Sequence, residues 1–186
     1  PEVVLNRSIN PIGDPTEMAN QALGIIESRF GNSSPEYIEA LIDVAEVHFG
    51  SLERDQAFTL WARIVGMLEK HYGPDHAAIA EVLLKWGSLL HAGEHRSEEA
   101  EPLIRRGLAI AEKQFGADDQ KTVAFVTMLA SIHQDRGNLD LAEDLFRRQL
   151  QIYEKSAGPE SIGVGYATLN LALLLEGRGR DDEMEV

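Results

Sequence analysis

Four glycines set a period along the chain: Gly31, Gly73, Gly116 and Gly158, spaced 42, 43 and 42 residues apart. Fourteen residues after each comes a small residue, Ala45, Gly87, Ala130 or Ala172. A second small set, Ala57, Ala100 and Ala142, stands sixteen residues before the last three glycines. The stretches leading into the glycines also align: A-L-G-I-I-E-S-R-F-G, I-V-G-M-L-E-K-H-Y-G, G-L-A-I-A-E-K-Q-F-G and Q-L-Q-I-Y-E-K-S-A-G. Glu27, Glu69, Glu112 and Glu154 are equivalent in this frame, as are Leu23, Val65, Leu108 and Leu150. A period of this length marks stacked supersecondary units, each burying its apolar face on the next. The one extra residue of the middle interval lies between Gly87 and Ala100, in A-G-E-H-R-S. Inside a helix it would rotate the apolar face by about 100°, so it is expected in a loop.

Each unit holds two segments of helical period. The unit from Gly116 to Gly158 shows them best, with Gln120 to Arg136, then G-N-L-D, then Leu139 to Ala157. Asp14-Pro15-Thr16-Glu17 and Ser33-Ser34-Pro35-Glu36 carry helix-start chemistry: an N-capping side chain, Pro at the first position and an acid placed to close a capping box. Predicted helices run from about Pro15 to Phe30, Pro35 to Phe49, Arg54 to Tyr72, His76 to His91, Ser97 to Phe115, Asp119 to Arg136, Leu139 to Ser156 and Ser161 to Glu176. The first aligns with the second helices of later units and is the back half of an incomplete repeat. Isolated helices this short are marginal in water, so stacking must hold them. The small residues let helices approach closely, with Trp61, Ile104 and Phe146 filling the space alongside.

These features resemble a tetratricopeptide repeat array, in the form of about 42 residues found in kinesin light chains and many bacterial signalling proteins. The third unit carries the resemblance best, through Leu129-Ala130, Gly137, Leu141-Ala142-Glu143, Phe146 and Leu150. The fourth opens alike with Leu169-Asn170-Leu171-Ala172. Trp86-Gly87 replaces the Leu-Ala pair, Gln149 stands where a small residue is usual, and Met184 replaces the second-helix alanine. The resemblance implies an all-α fold, an α-solenoid of antiparallel helix pairs in a right-handed superhelix. Its expected layout is an extended N-terminal segment over residues 1–14, then one elongated solenoid over 15–186. That solenoid comprises a half repeat 15–31, full repeats 32–73, 74–116 and 117–158, and a truncated repeat 159–186.

Composition narrows the partner. The net charge of −14 opposes a nucleic-acid groove, which needs clustered Lys and Arg, and equally an anionic membrane surface. It permits basic partners, though acidic residues also simply keep a helical array soluble. No run approaches the ~20 apolar residues needed to span a bilayer. With no signal peptide visible in these residues, the expected location is cytoplasmic. The chain begins at Pro1 with no Met, as an excised fragment would. It has no Cys, hence no disulfide and no thiolate metal site.

Few residues carry catalytic patterns. His91-Ala92-Gly93-Glu94-His95 fits H-x-x-E-H, which binds zinc only when both imidazoles share one helical face. Here Gly93 interrupts it and the register sets it in a solvated loop, so no metal and no cofactor are expected. His48 and His133 are equivalent to Leu90 and Leu175, a position inside the helix pair, and are expected in the core. Gly163-Val164-Gly165 lacks both a preceding strand and a third glycine, against a phosphate loop.

The resemblance implies that first helices line the concave groove. Its ligand-facing positions fall on Glu39, Asp43 and Glu46; Glu81, Lys85 and Ser88; Ala124, Met128 and Ser131; and Tyr166, Asn170 and Leu173. Glu39, Asp43 and Glu46 share one helix face, expected to form an acidic wall with Glu81. Asn170 resembles the groove asparagines that hold a ligand's backbone in this family. The expected function is therefore non-enzymatic: capture of a peptide or protein segment, with a basic one favoured. The alternative is a structural segment that stacks through its open ends, with weak self-association at the C-terminal end, where the last helix lacks its partner.

Overall fold

The computed structural model describes residues 13–51 and 53–178, and every element among them is helical. In order these are α1 (Pro15–Phe30), α2 (Pro35–Gly50), α3 (Arg54–Tyr72), α4 (Ala77–Ser88), α5 (Ser97–Phe115), α6 (Val123–Asp135), α7 (Leu139–Ala157) and α8 (Ile162–Gly177). A π-helical turn, Leu89–Gly93, extends α4, and a 3-10 turn, Gln120–Thr122, leads into α6. The expected extended segment lies outside the described residues up to position 12, as does the end of the truncated repeat from 179.

Local chemistry sets both ends of these helices. Asp14, Ser34 and Ser161 accept backbone N–H groups of the first turns of α1, α2 and α8. His76 does the same for α4 through Nδ1, a cap that sequence reading passed over. The four register glycines terminate α1, α3, α5 and α7. Each donates its N–H to the carbonyl of the equivalent glutamate, Glu27, Glu69, Glu112 or Glu154, at 2.8–3.1 Å. Their φ angles of +81° to +96° explain why only glycine recurs there.

Contacts divide the chain into two compact bodies, Pro1–Met67 and Leu68–Val186. In the first, α1 packs on α2. Its core is Tyr37, Ile38, Leu41 and Ala45 of α2 with Ala57, Trp61 and Ile64 of α3, while Ile42 and Leu60 are half-buried. Arg63 donates to the Tyr37 hydroxyl at 3.1 Å.

In the second body α4 packs on α5, α5 on α6, α6 on α7, and α7 on α8. The small residues stand where helices cross. A Cβ at Gly87 would lie 2.4 Å from Ile104 Cδ1, so Gly87 is what lets Ile104 reach full burial. Ala130 and Ala142 share a buried cluster with Phe146 and Leu174. Each such large apolar side chain contributes about 1.5–3 kcal/mol on burial.

The extra residue of the middle repeat is not in a loop. Three helix ends close with one equivalent backbone bond: Glu53 N–H to His48 O, Arg96 N–H to Leu90 O, and Asn138 N–H to His133 O. The enclosed separations are five, six and five residues, which places the excess between Leu90 and Arg96. There the helix widens into the π turn, which absorbs one residue over a single turn rather than rotating everything after it. The residue four after His133 is Gly137 with φ +74°; its counterpart, displaced by one, is His95 with φ +54°.

Candidate binding face

The positions implied by the resemblance recur at intervals of four and three residues on α2, α4, α6 and α8, so each set shares one helix face. In the first body, Glu39, Asp43 and Glu46 are all exposed, while Tyr37, Ile38, Leu41, Val44 and Ala45 turn inward. This face of α2 is purely anionic. In the second body Glu81 and Lys85 are exposed on α4. Ser88 turns its hydroxyl back onto the Leu84 carbonyl at 2.7 Å. On α6, Ala124 is exposed, Met128 and Ser131 are half-buried, and the Ser131 hydroxyl returns to Thr127 O at 3.2 Å. Back-bonded hydroxyls leave a face with little donor chemistry of its own.

The same face of α8 differs in kind. Ile162, Tyr166, Leu169 and Leu173, spaced four, three and four apart, are 79, 64, 52 and 55% exposed. Only Tyr166 and Leu173 belong to the set that the sequence implied. Asn170 is half-buried and donates through Nδ2 to Gln149 Oε1 at 3.3 Å. The departure at Gln149 thus has a purpose: its buried amide holds Asn170. Gly163, already read against a phosphate loop, sits in the first turn of α8, where a Cβ would lie 2.4 Å from the Tyr153 ring.

The histidines settle differently from expectation in two respects. His48 and His133 are buried as expected, 4 and 5% exposed, but as polar nodes rather than packing units. His48 bridges Glu53 through Nδ1 and Asn20 of α1 through Nε2. Arg105 donates to His133 Nε2 at 3.3 Å, beside Glu101 Oε1 at 3.7 Å. Burial lowers the His133 pKa, opposed by Glu101 and reinforced by Arg105 and Arg136. Burial alone would push the Glu101 carboxyl up; Arg105, His133 and Arg136 outweigh it and hold it below the usual range.

His91 is not in a solvated loop. It is buried in the π turn, with Nδ1 2.9 Å from Ser97 Oγ and Nε2 3.6 Å from Asp135 Oδ2. His95 lies beyond the turn in left-handed backbone, so the two imidazoles do not stand on successive turns of one helix. Among the described residues no three His, Asp or Glu side chains form a metal-binding group. Nor is any described helix long and apolar enough to cross a membrane.

Comparison with known proteins agrees with this geometry. Residues 122–183 match the family model of the tetratricopeptide repeat. A crystal structure of a Podosopora anserina putative kinesin light chain with nearly identical TPR-like repeats has a TM-score of 0.74 at 18% identity, covering 91% of this chain and 80% of that one. A substituted form of that same protein gives 0.75 at the same identity and coverage. BtubC (BKLC) from P. vanneervenii gives 0.72 at 17% identity, covering 91% of this chain and 68% of that one. No curated protein matches significantly. In sequence over residues 122–183, and in fold over 91% of its length, the chain resembles a tetratricopeptide repeat array of the kinesin-light-chain type.

Proposed function

We propose that this chain is a non-enzymatic protein-interaction module whose first helices hold a peptide or protein segment on their outward faces. The observation that carries this reading is the apolar row on α8. Four large side chains along one helix face are more than half exposed. The equivalent row on α6 and the 3-10 turn leading into it is Gln120, Ala124, Thr127 and Ser131, so the repeat does not require apolar residues there. A contiguous exposed apolar row of this kind marks a contact surface. In that reading Tyr166 and Leu173 supply apolar contact, Met128 extends it, and Asn170 addresses the segment's backbone. Glu81 and Lys85 add charge on α4.

The α2 face supports the finer reading of a basic segment. Three carboxylates on one side of one helix concentrate negative potential there. Two double variants separate the two parts, read as affinity for a captured partner at low and high salt. Asp43→Lys/Glu46→Lys should weaken capture at low salt and matter little at high salt, because exposed charges are screened within ~8 Å at physiological ionic strength. Tyr166→Glu/Leu173→Glu should weaken it at both. Neither should change the melting temperature much, since surface substitutions usually stay within about 0.5 kcal/mol. Affinity unchanged by either pair would remove these faces from the function.

A further inference from the structure

At the widened turn between α4 and α5, three side chains of different chemistry form a chain. Ser97 Oγ lies 2.9 Å from His91 Nδ1, and Asp135 Oδ2, from the last turn of α6, lies 3.6 Å from His91 Nε2. The repeat does not dictate this combination. Where this turn has Ser97, the other two have Arg54 and Leu139; where α6 has Asp135, α2 and α8 have Gly50 and Gly177. His91 follows Leu90, the equivalent of His48 and His133, and it is buried within the π turn.

The arrangement fixes which atom can react. A carboxylate only accepts, so the nitrogen facing Asp135 carries the imidazole proton and Nδ1 keeps its lone pair. The Ser97 hydroxyl then donates to Nδ1, its one partner among the described residues. The result is a hydroxyl on a buried base, with a third group holding the base's tautomer. Ser97 is also the first residue of α5, and the N–H groups of Ser97 and Glu98 meet no backbone acceptor among the described residues. Free N–H groups next to a nucleophile stabilise the negative oxygen that forms on attack. Ser97 and Asp135 line an open depression of about 650 Å³, with Arg96 and Arg136 beside them, so a small molecule can reach Oγ.

We infer that Ser97 is a nucleophilic serine that accepts an acyl group from an activated ester. Oγ bonds to the acyl carbon and its proton passes to His91 Nδ1. The bond from the acyl carbon to the leaving oxygen breaks, and the leaving group takes the proton from the imidazolium. The products are an acyl-serine and a free alcohol. His91 is the base, and Asp135 is a positioning residue that acts through it. The step occurs once per chain and calls for no turnover, so it adds a modification site to the binding module and does not rest on the binding reading.

The probe is 4-nitrophenyl acetate, added to the folded chain and to the same chain unfolded in urea. Nitrophenolate absorbance gives the rate, and mass-spectrometric mapping locates the acetyl group. The folded chain should show a burst of about one equivalent and carry acetyl on Ser97, whereas the unfolded chain should not carry it there. Ser97→Ala should remove the burst. His91→Gln still offers Ser97 Oγ an acceptor but no base; it should slow the burst at least about a hundredfold and remove the ionisation from its pH–rate profile. Asp135→Asn, whose amide can donate to Nε2 and favour the wrong tautomer, should slow it at least about tenfold and displace that ionisation. Acetyl groups elsewhere with none on Ser97, equal labelling of Ser97 in folded and unfolded chains, or a rate untouched by His91→Gln would overturn the inference. The comparison of folded and unfolded parent chain decides even where a variant fails to fold.

Discussion

The second and third repeats, residues 74–116 and 117–158, solve the same packing problem with different residues. At the α5–α6 junction Gly107 lies under Phe125: a Cβ at Gly107 would be 2.5 Å from the ring and 3.4 Å from the Ala80 carbonyl oxygen. At the α7–α8 junction the equivalent residues are Gln149 and Ala167, both buried. Large and small have changed places. The helix ends differ too, with Leu90, the π turn and His95 in one repeat and His133 and Gly137 in the other. What the repeat conserves is therefore volume summed across a junction and the closing backbone bond, rather than residue identity at either position.

The junctions offer the strongest test. Phe125→Ala should cost about 3–5 kcal/mol, and Gly107→Gln should cost on the order of 1–3 kcal/mol by overpacking. Combined, they recreate the volumes of Gln149 and Ala167, although Met128 stands where Asn170 holds Gln149, and the double variant should be more stable than the sum of the two losses implies. Urea unfolding of all four proteins measures this. Strict additivity would mean that the two junctions are unrelated solutions.

The histidine comes next. His133→Leu copies Leu90 and removes a group whose folded pKa is depressed, chiefly by burial. Such a group supports folding fully above its ordinary pKa of about 6.5, and that support is lost as pH falls through the depressed value. The parent should therefore lose stability relative to His133→Leu as pH drops from 7 into mild acid. Glu101, also depressed, remains in both proteins, and its contribution goes only in stronger acid, below the ordinary carboxylate range. Thermal melts across pH check this; parallel curves for the two proteins would mean that His133 is merely packed.

The smallest effect belongs to the turn. His95 occupies left-handed backbone that costs a non-glycine residue roughly 1–2 kcal/mol, part of which glycine returns as chain entropy. His95→Gly, copying Gly137, should stabilise by about 0.5–1 kcal/mol in the same urea assay. A loss would show that the His95 side chain contributes more than the strain it carries.

Much of this architecture was legible because it repeats. The glycine register, the paired helices, the small residues at Ala130 and Ala142 and the caps at Asp14 and Ser34 all follow from spacing. The π turn did not, because the number of residues between two anchors is the same whether the excess widens a helix or lengthens a loop. Gly107 also escaped notice: its meaning lies in Phe125, eighteen residues away, and only the fold brings them together. The ion pairs between successive second helices, Glu69–Arg106, Asp75–Lys113, Glu112–Arg148 and Asp118–Lys155, span 36 to 38 residues and become visible only when repeats are overlaid. At the candidate face, Tyr166 and Leu173 followed from register, whereas Ile162 and Leu169 completed the row only once exposure was known. Asn170 was read as facing a ligand; its bond to Gln149 came from the second helix, which no first-helix motif describes.

One consequence of the π turn concerns how such a gene can change length. A codon gained or lost within a helix normally throws every later side chain out of phase, and the whole domain suffers. Between Leu90 and Arg96 the error is confined to one loosened turn, and α5 begins in the same phase as α7. The segment behaves as an expansion joint: a site where insertions and deletions are mechanically quiet, and where a repeat can drift from 42 to 43 residues without disturbing the repeats on either side.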